Sequence, residues 1–355
     1  HTQRRRQRQM CIRDRFQDTN SVQYQWLKTL SSSFSDVTAV GDDDQSIYGW
    51  RGAKVENILS FERDFKETKV VKLEQNYRST SNILNAANAV IKRNADRLGK
   101  NLWTDLGEGE PIFLYSAFNE NDEARYIVEN LKSWIDQGNN RQDAAVLYRS
   151  NAQSRVIESA LLQFDIPYRV YGGQRFFERL EIKNALAYMR LILNCHDDVA
   201  FERVVNIPPR GIGERTVDAV REHARNISIS MWSAAKAMIV DKNLNTRSAN
   251  ALAAFLNLIN EMTNTLEALP LSELAENSIE MSGLIEMHRR EKGERGQSRV
   301  ENLEELVGAC KNFTPESIDT PVLGQFLDQV SLEAGERQAN EDQDAVQLMT
   351  LHSAK

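Results

Sequence analysis

DVTAVGDDDQSIYGWRGA, residues 36–53, decides how the rest of this chain is read. Val37, Thr38, Ala39 and Val40 are β-branched or small, the composition of a short buried strand. Gly41-Asp42 marks the point where a loop must leave the sheet. In a parallel sheet, the loop leaving a strand's C-terminal edge is where ligands bind. This loop gathers Asp42, Asp43, Asp44, the amide of Gln45, Tyr48, Trp50 and Arg51. An uncharged amide such as Gln45 can touch a terminal phosphate or its attacking water without adding negative charge to an anionic centre. Tyr48 and Trp50 offer flat faces to unstacked bases, each worth roughly 1–3 kcal/mol on the usual stacking scale. A plainer alternative stands beside this one: a surface turn whose Tyr and Trp plug a core.

Outward from the loop, short apolar strands and helices alternate. FQDTNSVQYQWLKTLSSSF predicts a helix with Val22, Trp26, Leu27 and Leu30 on one face. Helices are expected over 55–65, 81–94, 122–136 and 153–164, and strands over 69–74, 111–117 and 143–150. That alternation implies an α/β fold with a parallel sheet covered on both faces. After YGGQRFFER (171–179) the texture changes, and helical periodicity dominates until AVQLMTL (345–351). IKNALAYMRLIL (182–193), ANALAAFLNLINEM (249–262) and SRVENLEELVGACKNF (298–313) carry it. The pattern predicts a large all-helical domain inserted between two strands of one α/β domain.

Composition bounds the function class. The chain has 355 residues, 41% of them hydrophobic and 27% charged, as expected of an ordinary globular protein. No run approaches the roughly 18 unbroken apolar residues of a membrane helix, so no membrane partner is expected. Cys11, Cys195 and Cys310 are too scattered for a disulfide framework or a zinc site, which points to a reducing cytoplasm. The net charge of −7 falls to about −12 once the basic residues 1–15 are set aside. Nucleic acid can then be met only by local basic and aromatic clusters. HTQRRRQRQMCIRDR (1–15) reads as foreign sequence resembling translated adapter, with a basic nucleic-acid arm as the other reading.

Two further stretches bear on nucleic acid. IPPRGIGERTVDAV (207–220) puts Gly211 and Gly213 between helical segments, where backbone N–H groups and a helix N-terminus can approach a phosphate. A tight helix–helix turn explains the same glycines. HRREKGERGQSR (288–299) is basic, but Glu291 and Glu294 dilute it, and a solvated loop is the better reading.

GDDDQSIYGWRGA resembles motif III of the superfamily 1 UvrD/Rep/PcrA DNA helicases, and LEQNYRSTSNIL (73–84) resembles their motif IV. NAQSR (151–155) is similar to motif IVa and MTLHSAK (349–355) to the first half of motif V, so the likeness runs from Phe16 to Lys355. The resemblance implies two RecA-like lobes of P-loop NTPase type. Residues 16–74 would finish the first lobe and 75–174 begin the second. The helical insertion would span 175–343, and 344–355 would return to the second lobe. It implies that Gln45 senses the γ-phosphate of ATP, that Tyr77 stacks on adenine, and that Arg78 reaches the γ-phosphate. Tyr48 and Trp50 would stack on single-stranded DNA, with Arg51 linking that site to the nucleotide cleft. Thr350 and His352 would touch the DNA backbone, and the loop of Gly211 and Gly213 would touch duplex DNA. ATP and Mg2+ are the implied cofactors. Single-stranded DNA, single-strand/duplex junctions and proteins of mismatch and excision repair are the implied partners, with 3′ to 5′ movement.

The chain departs from the family pattern in three respects that bear on catalysis. No GxxxxGK[ST] loop occurs in it, although that loop holds the β- and γ-phosphates in such enzymes. The family's DEFQDTN reads Asp14-Arg15-Phe16-Gln17-Asp18-Thr19-Asn20 here. Arg15 stands where the glutamate that activates water belongs, and a guanidinium cannot act as a base. Motif VI is also missing, so the expectation is an inactive piece of a longer helicase, truncated at both ends. The alternative expectation is a DNA-binding module without motor activity.

Overall fold

The computed structural model describes residues 11–13, 15–31, 37–65, 67–95, 97–266, 268–291, 293–317, 320–335 and 343–355. Residues 1–10, Asp14 and Lys292 lie outside the described residues. The chain divides into two compact units, His1–Ser116 and Ala117–Lys355. The lobe boundary expected near residue 74 falls inside the first unit.

In the first unit a strand β1 (Cys11–Arg13) pairs in parallel with β2 (Val37–Ala39). β1 lies in the stretch that the sequence reads as foreign. The expected helix forms over Ser21–Ser31, but its apolar stripe faces solvent: Trp26 is 62% exposed and Val22 more so. Tyr24 is the residue this helix buries, against Phe16, with its hydroxyl donating to Asp64 Oδ2 at 2.8 Å. The helix expected over 55–65 breaks at Ser60 into Glu56–Leu59 and Phe61–Asp64.

Two expected strands do not form. Residues 69–74 and 111–117 carry no strand pairing, and the isolated bridge between Gln75 and Trp103 lies just past the first of them. A strand is stabilised by a neighbour's N–H and C=O groups, and no described strand lies alongside either segment. Their apolar side chains are therefore open to water, Leu114 at 97% exposure.

The second unit combines a small parallel sheet with many helices. β3 (Ala145–Tyr148), β5 (Val346–Thr350) and β4 (Tyr168–Tyr171) form a parallel sheet in the order β3-β5-β4. β5 is last in sequence yet central in the sheet, so the chain leaves after β4, builds the helical insertion and returns between its first two strands. Side chains alternate along a strand, and β5 turns Val346 and Leu348 inward against Val128, Tyr148, Leu161 and Val170. Helices Glu120–Asp136 and Ser154–Gln163 complete that core. Among its described residues the insertion holds helices joined by loops, and no strand. Helix Leu180–Leu193 is buried nearly all round, with Tyr188, Phe201, Phe255, Leu303 and Phe326 in the surrounding core. A helix apolar on every face belongs at the centre of a bundle, and this one sits there.

The insertion is fastened to the sheet by polar contacts. Arg179, buried, donates to the Asn151 carbonyl (2.7 Å), the Asn302 side chain (3.0 Å), Ser154 Oγ (2.8 Å) and the Gln174 carbonyl (3.2 Å). Arg155 and Ser150 meet Glu305 and Glu301 at 2.5 and 2.8 Å.

Candidate functional site

Everything in the acidic turn of the first unit starts from buried polar groups beneath it. Gln17, buried, accepts the Asp42 amide on Oε1 at 3.1 Å, and the Phe16 amide donates to the Val40 carbonyl at 3.0 Å. Thr19, also buried, takes the Lys54 amide on its carbonyl, and the buried Asn57 side chain donates to that carbonyl and to Thr19 Oγ1. The QDTN run thus pins both ends of the loop carrying Gln45, Tyr48 and Arg51.

Within the loop Asp42 closes the turn Asp43–Gln45. Its Oδ1 accepts the Asp44 amide at 3.1 Å, and its Oδ2 accepts the Gln45 side-chain amide at 2.6 Å. Three adjacent carboxylates repel one another unless cations lie between them. Arg97 supplies two bonds to Asp44, Lys100 pairs with Asp42, and the Leu98 amide donates to Asp43 Oδ2 at 2.7 Å. The Arg97 hydrogen bonds are the main reason the Asp44 carboxyl is held below its ordinary range.

Beyond the turn, the Arg51 guanidinium sits 5.1 Å from the centre of the Tyr48 ring, a cation–π distance. Tyr48 is half-buried and Arg51 exposed. Gly52, at φ 85°, ends the turn Gly49–Arg51 in a conformation that a side chain would strain. The backbone of Trp50 belongs to this turn, whereas its side chain lies outside the described residues.

The second stretch, Gln75–Ser79, is a turn closed by Asn76, whose Oδ1 accepts the amides of Arg78 (2.9 Å) and Ser79 (2.7 Å). It presents Tyr77 outward, 78% exposed, with the hydroxyl donating to Gln75 Oε1 at 2.8 Å. Arg78 is exposed, and among the described residues its guanidinium has no hydrogen-bond or ion-pair partner. An open aromatic face beside an unengaged guanidinium is a surface that can take an aromatic anion.

The expected residues of the second unit are placed as follows. Thr350 ends β5, and its Oγ1 accepts the Ser353 amide at 3.1 Å, capping the short helix Leu351–Ala354 that carries His352. Both residues are half-buried. Gly211, exposed at φ 80°, and Gly213, exposed at the N-terminus of helix Glu214–Asn226, flank the buried Ile212. Asn206 Oδ1 holds that loop by accepting the Arg210 and Ile212 amides, and no side chain caps the helix.

Gln45, Tyr48, Arg51, Tyr77 and Arg78 thus belong to the first unit. Thr350, His352, Gly211 and Gly213 belong to the second. The sequence reading passed over Asn57, Arg97, Lys100 and Asp105, and it left Gln17 without a role. Nothing local in KRNADRLGK (92–100) marks Arg97 and Lys100 as partners of the aspartates, because Asp44 lies 53 residues from Arg97.

Residues 71–355 match the model of the UvrD-like helicase C-terminal domain, and residues 1–66 that of the UvrD/REP helicase N-terminal domain. The chain is 56% identical to DNA helicase II of Escherichia coli over 344 residues, 96% of this chain and 48% of that protein. It is 53% identical to DNA helicase II of Haemophilus influenzae over 356 residues, 99% of this chain and 49% of that protein. It is 42% identical to the ATP-dependent DNA helicase PcrA of Staphylococcus epidermidis over 343 residues, 96% and 47% of the two. The chain spans about half the length of the curated relatives it matches.

Proposed function

The chain belongs to the UvrD-like helicase family, and from that premise we propose that it is part of an ATP-dependent DNA helicase that moves 3′ to 5′ along single-stranded DNA. The observation that carries the reading is the first unit's pair of surfaces: Gln45 on the acidic turn held by Arg97 and Lys100, and Tyr77–Arg78 exposed on a second turn. Residues 16–74 and 75–174 are taken as parts of two RecA-like lobes, 175–343 as the inserted domain, and 344–355 as the return to the second lobe.

Tyr77 would stack on the adenine of ATP and Arg78 would neutralise its γ-phosphate, with Gln45 at the terminal phosphate or its water. A guanidinium in that role is worth around 10³–10⁵ in rate. Tyr48, Trp50 and Arg51 would hold single-stranded DNA. Thr350, His352 and the loop of Gly211 and Gly213 would meet DNA backbone at the single-strand/duplex junction. In the whole helicase, ATP held by Tyr77, Arg78 and Gln45, with Mg2+, would supply the phosphoryl transfer that drives movement.

The residues fit these two groups unequally. The open Tyr77 face and unengaged Arg78 suit a nucleotide. The carboxylates of Asp42, Asp43 and Asp44 approach within 4.8 Å of one another, but Arg97, Lys100 and the Leu98 amide already meet them, so this triad does not suit Mg2+. Arg15 occupies the position of the expected catalytic glutamate and holds an exposed left-handed conformation, φ 50°.

The chain by itself is therefore proposed to bind single-stranded DNA without hydrolysing ATP. A second reading, a DNA-binding module without a motor, gains support from Arg15. Phosphate release with and without oligo-dT tests the proposal. DNA-stimulated release above that of a Gln45→Ala variant would overturn the proposed inactivity of the chain alone. Oligo-dT affinity unchanged in Tyr48→Ala would overturn the proposed strand-binding shelf.

A further inference from the structure

The segment Arg97–Asp105 touches both surfaces of the first unit. Its first half meets the acidic turn: Arg97 pairs with both oxygens of Asp44, the Leu98 amide with Asp43, and Lys100 with Asp42. Its second half meets the tyrosine turn. The Asn101 amide donates to Glu74 Oε1 at 3.0 Å, and the Trp103 amide donates to the Glu74 carbonyl at 3.0 Å. The Trp103 carbonyl accepts the Asn76 amide at 2.7 Å. Asp105 Oδ2 accepts from Gln75 Nε2 at 2.9 Å, and Gln75 Oε1 accepts the Tyr77 hydroxyl. Lys72 fixes the middle of the segment by donating to the Leu98 and Gly99 carbonyls, and Asn88 bonds the Leu102 backbone twice.

We infer that Arg97–Asp105 is a positioning strap that sets the Gln45 turn and the Tyr77–Arg78 turn in one register. Arg97 and Lys100 are the positioning residues for Gln45, and Asp105 is the one for Tyr77. The Gln45 amide is aimed by Asp42, and the same carboxylate is held by Lys100. A two-pronged guanidinium–carboxylate pair fixes orientation as well as distance, which a point charge cannot do. At the other end Tyr77 is aimed through Gln75 by Asp105. Either turn alone would be a mobile surface loop; bonded to one short segment, they move together. The nucleotide role of the strap rests on the reading under Proposed function, but its mechanical role does not.

Amide hydrogen exchange on the full chain tests this. The Gln45 and Ser46 amides report on the acidic turn, and the Asn76 and Trp103 amides report on the tyrosine turn. Arg97→Gln is expected to speed exchange roughly ten-fold at both sets, the scale of losing charge-assisted bonds. Asp105→Asn is expected to reach Gln45 and Ser46 from the far end. Arg97→Lys, which keeps the charge and loses the fork, is expected to fall between wild type and Arg97→Gln. Should Arg97→Gln fail to fold, Asp105→Asn and Arg97→Lys decide by the same criterion. Acceleration confined to the substituted end overturns the strap, whatever happens to DNA binding. Acceleration at both ends, with oligo-dT affinity unmoved by Tyr48→Ala, keeps the strap and removes the site reading.

Discussion

Arg97 holds Asp44 with two bonds, Nε to Oδ1 at 2.8 Å and Nη2 to Oδ2 at 2.5 Å, across 53 residues of sequence. The pair cancels charge where three aspartates stand in a row, and it ties the first unit's acidic turn to a distant loop.

Its contribution to stability must depend on pH with a definite sign. The Arg97 hydrogen bonds hold the Asp44 carboxyl below its ordinary value. A carboxylate with a depressed folded-state pKa adds stability above the unfolded value, near 3.9, and loses it as pH falls through the folded one. Asp44→Asn should therefore lower the unfolding temperature at about pH 7, and the gap to wild type should close as pH falls through the depressed folded-state value. Thermal unfolding across that range measures the difference. A gap that stays constant on acidification would show that charge is not what Asp44 contributes.

Glu158 in the second unit predicts the opposite slope. It is buried, its Oε2 accepts the Tyr168 hydroxyl and the Phe176 amide, and among the described residues its Oε1 has no hydrogen-bond partner. Burial raises its carboxyl pKa despite the nearby Arg179 and Arg175. A raised carboxyl favours the folded state at pH below the unfolded value and costs stability as pH rises through the folded one. Glu158→Gln keeps the shape and removes the charge. It should gain on wild type as pH rises from about 4 to about 7 in parallel unfolding series. A gain that shrinks over that interval contradicts the assignment.

Arg179 carries the junction between sheet and insertion. Four acceptors on three segments converge on its buried guanidinium, and Arg179→Ala leaves the buried ones, Asn302 Oδ1 and Ser154 Oγ, without this donor. The loss should be about 3–5 kcal/mol in denaturant unfolding. Arg179→Lys should recover little of it, because an ammonium cannot reproduce the fork. A loss under about 1 kcal/mol for Arg179→Ala would mean that apolar packing, not this arginine, holds the insertion in place.

How much of this was legible depended on where each partner lay. Val346 and Leu348 alternate as a half-buried strand must, so β5 and the helical insertion before it could be read from the sequence. β4 could not, because YRVY offers only two inward positions, Tyr168 and Val170. Residues 69–74 and 111–117 read as strands by composition, but a strand is made by its neighbours, and composition does not supply them. The same holds at the candidate site. Gln45, Tyr77 and Arg78 were found because their motifs are contiguous. Arg97 and Asp105 escaped because their partners lie 53 and 30 residues away, and only folding joins them.

The glycine loop separates a structural role from a functional one. Gly211 lies at φ 80° with open space where a Cβ would stand, so Gly211→Ala meets no clash but pays a left-handed strain of about 1–2 kcal/mol. Gly213 differs: its φ is −76°, and it starts helix Glu214–Asn226 without a side-chain cap. Gly213→Ser should change stability by only a few tenths of a kcal/mol. The serine hydroxyl would, however, occupy the first-turn amides that a DNA phosphate would otherwise use. A phosphate at a helix N-terminus is worth roughly 0.3–1 kcal/mol, so affinity for a single-strand/duplex junction should fall about two- to five-fold while oligo-dT affinity holds. Fluorescence anisotropy with both ligands at one fixed salt concentration checks it, since phosphate contacts are salt-dependent. Equal affinities for wild type and Gly213→Ser on the junction would reduce this loop to a turn between helices.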